Sequence, residues 1–342
     1  MLTPRTSLRD IAARANVSKA TVSLALRDHP RITEPVRKRI QALALQMRYV
    51  PDPVISRLAA NGWGARREHG HTMVAFISSM GTPAKPGGLD FFKSLQEHGP
   101  RMGYQIDYFS TSGYPSPQRL AEVLTARGIQ GVILYQISDQ SFVERFPWER
   151  YATVCCSVSI AMPSVHLVTS DYTMPMQNSW EICRRAGYRR IGFALLTVMS
   201  SRDDIPRSGV ADYLERNARG KGMARVPVRH FGRTDAGEFV AWVKKNRLDA
   251  VAGLTPTFLF WLRQAGYRVP EDIGFISLIL GGNDLNGKIS GWDNRAGQVA
   301  RCSLEQLDLM IRSASRGLPE SSYTLLIPPT WVPGHTLRSA PP

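Results

Sequence analysis

Asn16–Thr33 reads NVSKATVSLALRDHPRIT, and its pattern decides the fold of the N-terminal region. Val17, Val22, Ala25 and Leu26 fall on one side at helical spacing, while Lys19, Ala20, Thr21 and Ser23 fall elsewhere. Upstream, Ser7-Leu-Arg-Asp10 has the form of a capping box that starts a helix whose apolar face is Leu8, Ile11, Ala12 and Ala15. Asn16 stands where a helix must end in a tight turn, and asparagine tolerates the left-handed conformation used there. Ser18 is placed to cap the second helix. The run DHPRI breaks the chain, and Thr33 is placed to cap a third helix with Pro35 in its first turn and Val36, Ile40 and Leu43 on its buried side. Two short helices across a three- or four-residue turn, braced by a third, predict a helix-turn-helix.

In that geometry the start of the second helix enters the DNA major groove. Lys19 can donate to the O6/N7 edge of guanine, and the methyl of Ala20 can pack against that of thymine. Ser18, Thr21 and Ser23 carry short hydroxyls suited to phosphate oxygens. The expected recognition helix runs from Ser18 to Arg27, and Arg31, before the third helix, is expected to add a phosphate or base-edge contact. A three-helix bundle without a DNA role is the competing reading. It leaves the charge unexplained: residues 1–60 hold eleven Lys/Arg against four Asp/Glu, nearly half of the chain's net +15.

The remainder reads as a core-forming α/β protein. Hydrophobic residues make up 43% and charged residues 21% of the 342, which excludes a disordered chain. Cys155, Cys156, Cys183 and Cys302 show no Cys-x-x-Cys spacing, so free buried thiols are expected rather than a disulfide frame or a zinc site. The sequence has no 18-residue apolar run and no signal-peptide core near its start, so a cytoplasmic protein without membrane contact is expected. From His71 onward, apolar runs such as TMVAFIS, GVILYQI, RIGFALL and IGFISLIL alternate with helical patterns. That rhythm predicts parallel, doubly wound sheets in two lobes, with a ligand cleft where the strands' C-terminal ends meet.

The stretch SLRDIAARANVSKATVSLALRDHPRITEPVRKRIQALALQMRYVPDPVISRLA, residues 7–59, closely resembles the N-terminal module of the LacI/GalR family of bacterial transcription regulators. The resemblance places Lys19, Ala20 and Leu24 at the family's base-reading positions. Leu24 replaces a frequent arginine, which favours an apolar contact or none. It also makes Val54–Ala60 a hinge helix that orders with its dimer mate on DNA, with Leu58 as the residue that wedges into the central minor-groove step. Residues 61–71, NGWGARREHGH, then form a linker. Later segments are similar to the family too, among them EICRRAGYRRIGF and QAGYRVPEDIGFISL. The resemblance therefore implies a small all-α helix-turn-helix module (1–50), a hinge helix and linker (51–70) and a two-lobed, periplasmic-binding-protein-like effector and dimerisation domain (71–342).

The expected effector residues are Asp90, Phe91, Gln136, Asp171, Arg207 and Trp292. Asp171 has a competing role as a helix cap, and Phe91 and Trp292 as core aromatics. The family's carboxylate after a late strand is replaced by Leu278-Ile279-Leu280, and its Asn-Asp helix start by Thr255-Pro256. The ligand is thus open between a sugar and another small polar or partly apolar molecule, and a cleft with no effector is a further alternative. Catalytic motifs are missing: G-x-S-x-G, the P-loop, G-x-G-x-x-G and H-E-x-x-H do not occur, and no histidine sits at metal-ligand spacing, so neither an enzyme nor a cofactor is expected. The expected whole is a homodimeric regulator, a repressor by the family's usual outcome, that binds a pseudo-palindromic operator with affinity set by an effector. The rival classes are a ligand-binding protein without specific DNA activity and a non-specific nucleoid protein.

Overall fold

The computed structural model describes residues 7–26, 31–47, 49, 72–82, 85–86, 89–158, 163–197, 201–218, 220 and 222–338. The chain divides into two compact units, Met1–Glu68 and His69–Pro342. The first contains helices α1 (Leu8–Ala15), α2 (Lys19–Ala25) and α3 (Glu34–Gln46). Ile11, Val22, Ala25 and Ile40 are fully buried at their junction, with Ala12, Ala15 and Ala44 completing the core. Burying each large aliphatic contributes roughly 1.5–3 kcal/mol. A module this small therefore also depends on its caps.

Those caps follow the sequence. The Ser7 Oγ accepts from the Asp10 N–H, the Asp10 carboxylate accepts from the Ser7 N–H at 2.7 Å, and Asn16 ends α1 in the left-handed region at φ 52°. The backbone bond to Ser7 holds the Asp10 carboxyl below its usual range. Thr33 differs from expectation. It occupies the N-cap position of α3, yet its side chain makes no capping bond, and the pre-set φ of Pro35 together with Glu34 starts the helix instead.

The second unit has two six-stranded sheets. The first is ordered β13-β7-β6-β5-β1-β4 and the second β14-β12-β11-β10-β8-β9. The first-lobe strands are β1 (Thr72–Ser78), β4 (Tyr104–Ser110), β5 (Gly131–Tyr135), β6 (Ala152–Cys155), β7 (His166–Ser170) and β13 (Thr324–Ile327). The second lobe uses β8 (Ile191–Leu196), β9 (Arg229–Phe231), β10 (Ala250–Gly253), β11 (Gly274–Leu280), β12 (Gly291–Asp293) and β14 (Thr330–Val332). Within these two sheets the described pairings are parallel except β12 with β14. A two-residue hairpin, β2 (Gly81–Thr82) with β3 (Lys85–Pro86), follows β1. Apolar residues fill both faces of the central strands, as parallel sheets covered by helices require.

Helices α4 (Leu89–His98), α5 (Pro117–Ala126), α6 (Gln140–Arg145) and α11 (Ala296–Arg312) belong to the first lobe, and α7 (Met174–Arg185), α8 (Ser201–Arg216), α9 (Ala236–Lys245) and α10 (Thr257–Gln264) to the second. The chain passes between lobes at residues 171–173, 293–295 and 328–329, each time just after the C-terminal end of a strand. Those ends therefore face the junction. The two Ile-Gly-Phe strand entries have a packing cause. A Cβ on Gly192 would lie 2.5 Å from both Trp242 and Leu248, and one on Gly274 would lie 2.5 Å from the Tyr188 ring. Only glycine lets these aromatics seal the strand starts. Cys155, Cys156 and Cys183 are buried, Cys302 is partly buried, and all four are free thiols. Among the described residues, no helix is long and apolar enough to cross a membrane.

Candidate nucleic-acid interface and ligand cleft

Helix α2 owes its position to its first residue. The Ser18 Oγ accepts from the Thr21 N–H at 3.0 Å and shares a hydrogen bond of 2.8 Å with the Thr21 hydroxyl. Both hydroxyls serve the cap in this chain, and the one bond between them uses one of the two O–H groups, leaving the other for an outside acceptor. Beyond the cap, Lys19 and Ala20 are exposed, and Thr21, Ser23 and Leu24 are partly exposed. Val22 and Ala25, on the opposite side, have no accessible surface. The first turn thus presents a cation, a methyl and small polar groups outward from a rigidly anchored helix, with Arg31 exposed beyond it. Arg27 and Leu58, and the whole of residues 50–71, lie outside the described residues.

Two side chains of α3 that the sequence reading passed over hold this arrangement. Arg39 Nη2 donates to the Ala15 carbonyl at 3.1 Å, and Gln41 Nε2 donates to the Ala25 carbonyl at 3.1 Å. These oxygens belong to the last turns of α1 and α2, which have no intrahelical donors of their own. One helix thereby ties down the C-terminal ends of the two others. Their polar identity amid an apolar periodicity was the available signal.

In the second unit, the six expected effector residues separate into different environments. Asp90, at the start of α4, accepts from the Gly282 N–H across the lobe junction at 3.4 Å. It lines a cavity of about 530 Å³ with Lys93, Glu97 and His98 of α4, Leu280 at the end of β11, Gly282 beyond it, and Asp293 and Arg295 before α11. Phe91, on the other face of α4, is buried with its ring 5.0 Å from that of Tyr135. Gln136 follows that tyrosine with φ 46°, a conformation unusual for a side-chain-bearing residue, and its N–H donates to the Ser157 Oγ.

Asp171 accepts from the Thr173 N–H and hydroxyl and from the Met174 N–H, the capping role that competed with ligand contact. Arg207 is buried, with its guanidinium carbon 4.3 Å from the centre of the Tyr172 ring at the first crossover. Trp292 is buried too, its Nε1–H donating to the Ser179 Oγ and its ring against Trp331. Of the six, Asp90 alone lines the cavity. The polar positions Lys93, Ser94, Glu97 and His98 join it there, and the sequence carried their signal as a stripe at helical spacing opposite Phe91, Phe92 and Leu95.

Comparison with known proteins places both units. Residues 7–52 match the model of the bacterial regulatory proteins, lacI family. An HTH-type transcriptional regulator of Mycolicibacterium smegmatis is 25% identical over 219 residues, 61% of this chain and 56% of that relative, so the chain aligns with little more than half of its length. A solved complex of the transcriptional regulator CelR with cellobiose shares the fold at a TM-score of 0.59 and 17% identity, covering 97% of this chain and 100% of that one. The lac repressor dimer bound to operator and the anti-inducer ONPF matches at a TM-score of 0.58 and 15% identity, covering 97% and 99%.

Proposed function

We propose, for a chain that belongs through its residues 7–52 to the lacI family of bacterial regulatory proteins, that it represses transcription as a homodimer on a pseudo-palindromic operator in the cytoplasm. It is a transcriptional regulator rather than an enzyme. The observation that carries the proposal is the exposed first turn of α2, anchored by the Ser18 cap and presenting Lys19 and Ala20. In the major groove, Lys19, Ala20 and Leu24 read base edges, while Ser18, Thr21, Ser23, Arg27 and Arg31 contact the backbone or neighbouring edges. Two modules occupy successive major grooves, and two Leu58 side chains wedge between them.

The two-lobed body takes a small-molecule effector, a sugar being the first class to test because CelR, of like fold, is known with cellobiose. A ligand that bridges the lobes near Asp90 favours one lobe angle over another. Its differential affinity for the two angles is the free energy available to change DNA affinity. The proposal is tested by titrating the full chain against a duplex carrying an inverted repeat and one carrying a single half-site. Two chains per inverted repeat, with much weaker half-site binding, supports the dimeric reader. One chain per duplex and equal affinity for both contradicts it.

A further inference from the structure

The body's positive charge is not spread evenly. Residues 174–292 and 330–342, the second lobe, hold nineteen Lys/Arg against eleven Asp/Glu, whereas residues 71–173 and 293–329, the first lobe, hold eleven against twelve. The whole excess therefore lies on one lobe, and the fold gathers much of it at one end. Helices α7 and α9, which precede β8 and β10, end at the N-terminal edge of the second sheet, and the loops from them into β8 and β10 lie on that same edge.

Direct bonds tie these segments together. The N–H groups of Arg189 and Arg190 both donate to the Asp249 carboxylate, at 2.7 and 2.8 Å. Arg190 Nε donates to the Asn246 carbonyl beyond α9, and Arg189 Nη1 to the Arg184 carbonyl beyond the middle of α7. The acids here are already engaged: Asp249 holds backbone, and Glu181 holds both Arg184 and Arg185. Lys244, Lys245 and Arg247 are exposed and make no ion pair among the described residues. Cations in a last helical turn do offset the helix dipole. That accounts for Lys244 and Lys245 as helix-end residues, and Arg189 and Arg190 bond carbonyls at the ends of α7 and α9, but neither role accounts for Arg247, which stands outside any helix.

We propose that this basic end of the second lobe, centred on Lys244, Lys245 and Arg247, docks the phosphate backbone of a second duplex DNA segment, independent of sequence. Among the described residues the helices that meet this end, α7 and α9, present their C-terminal ends here, and exposed cations spaced along such a surface suit an extended polyanion held by many weak contacts. Duplex DNA is chosen over an acidic protein because the module's own binding holds the chain on DNA, where the local concentration of further duplex is high. The choice of duplex rests on the proposed function; the charge asymmetry does not. Because the strands' C-terminal ends face the lobe junction, this edge of the second lobe lies at the opposite end of the body from the start of β1 at Thr72. A repressor so equipped bridges two stretches of DNA.

The test uses the full chain and its triple variant Lys244→Glu/Lys245→Glu/Arg247→Glu. Each is loaded on bead-bound operator and offered a labelled, unrelated duplex of roughly 40 base pairs at about 50 mM salt. The wild type retains the labelled duplex, and the variant loses it by about tenfold or more while still occupying the operator, with a shallower salt dependence. Equal retention by the variant, or none by the wild type, overturns the proposal. Preferential capture of polyglutamate over duplex by the same surface overturns the choice of DNA. Failure of either chain to occupy any operator contradicts the proposed function instead. In that case anisotropy of the labelled duplex with each free chain still reads the basic end: binding by the wild type and loss in the variant upholds it, and equal signals refute it.

Discussion

Lys19 is exposed in the first turn of α2, where the proposed function has it read a base edge, and it makes no ion pair or side-chain hydrogen bond among the described residues. Lys19→Ala should therefore leave the module's melting unchanged, relax base preference at one half-site position and cost about 1–3 kcal/mol of binding. Uniform weakening across all sequences would reassign it to phosphate. Ser18 is the opposite case, because its hydroxyl is bound into the helix start. Ser18→Ala should destabilise the module by about 0.5–2 kcal/mol, measured by thermal unfolding, and an unchanged transition would remove the cap from the account. Local chemistry made such residues legible: Ser7, Asp10, Asn16 and Ser18 all do what their neighbours in sequence require. Asp90, Asp171 and Trp292 were not separable in this way. Whether a polar or aromatic group caps a helix, fills a core or lines a cavity depends on contacts with residues far along the chain, such as Gly282 or Ser179.

Helix α3 holds the C-terminal ends of α1 and α2 through Arg39 and Gln41. Arg39→Ala should weaken binding to every duplex without altering its salt dependence, since the guanidinium faces a carbonyl rather than phosphate. A salt slope reduced by about one would make Arg39 a phosphate contact instead. On α7, hydrogen bonds from Arg184, joined by Arg185, hold Glu181 down to about 2. A depressed carboxyl stabilises the fold above its unfolded value and loses that contribution as pH falls. Wild type should thus exceed Glu181→Gln in stability at pH 7, by a fraction of a kcal/mol for so exposed a network, and the gap should close as acid titration approaches about pH 2. A gap that is constant with pH would refute the ion-pair cause. Strands and helices were readable from apolar periodicity because each buries one pattern. The antiparallel β12–β14 pairing and the silent Thr33 side chain were not, since both depend on what packs nearby.

At the scale of the whole molecule, the chain joins a three-helix module to a two-lobed body whose three crossovers lie at one junction. The alternation of apolar runs and helical patterns was enough to foresee two wound lobes, because parallel strands need covering helices. It could not assign β13 and β14, which leave one lobe for the other at residues 328–329, nor the cavity beside Asp90, which draws on segments some 200 residues apart. Leu58 couples the two units in the proposed mechanism, so Leu58→Ala should reduce operator bending while the body keeps its melting transition; undiminished bending in a phasing assay would remove the wedge. The most direct test of the central claim is selection of double-stranded DNA from a random pool by the purified full chain at near-physiological salt. Recovery of an inverted repeat with a defined central step is the predicted result. Recovery of unselected sequence, with every duplex bound alike, would contradict a sequence-specific dimeric repressor.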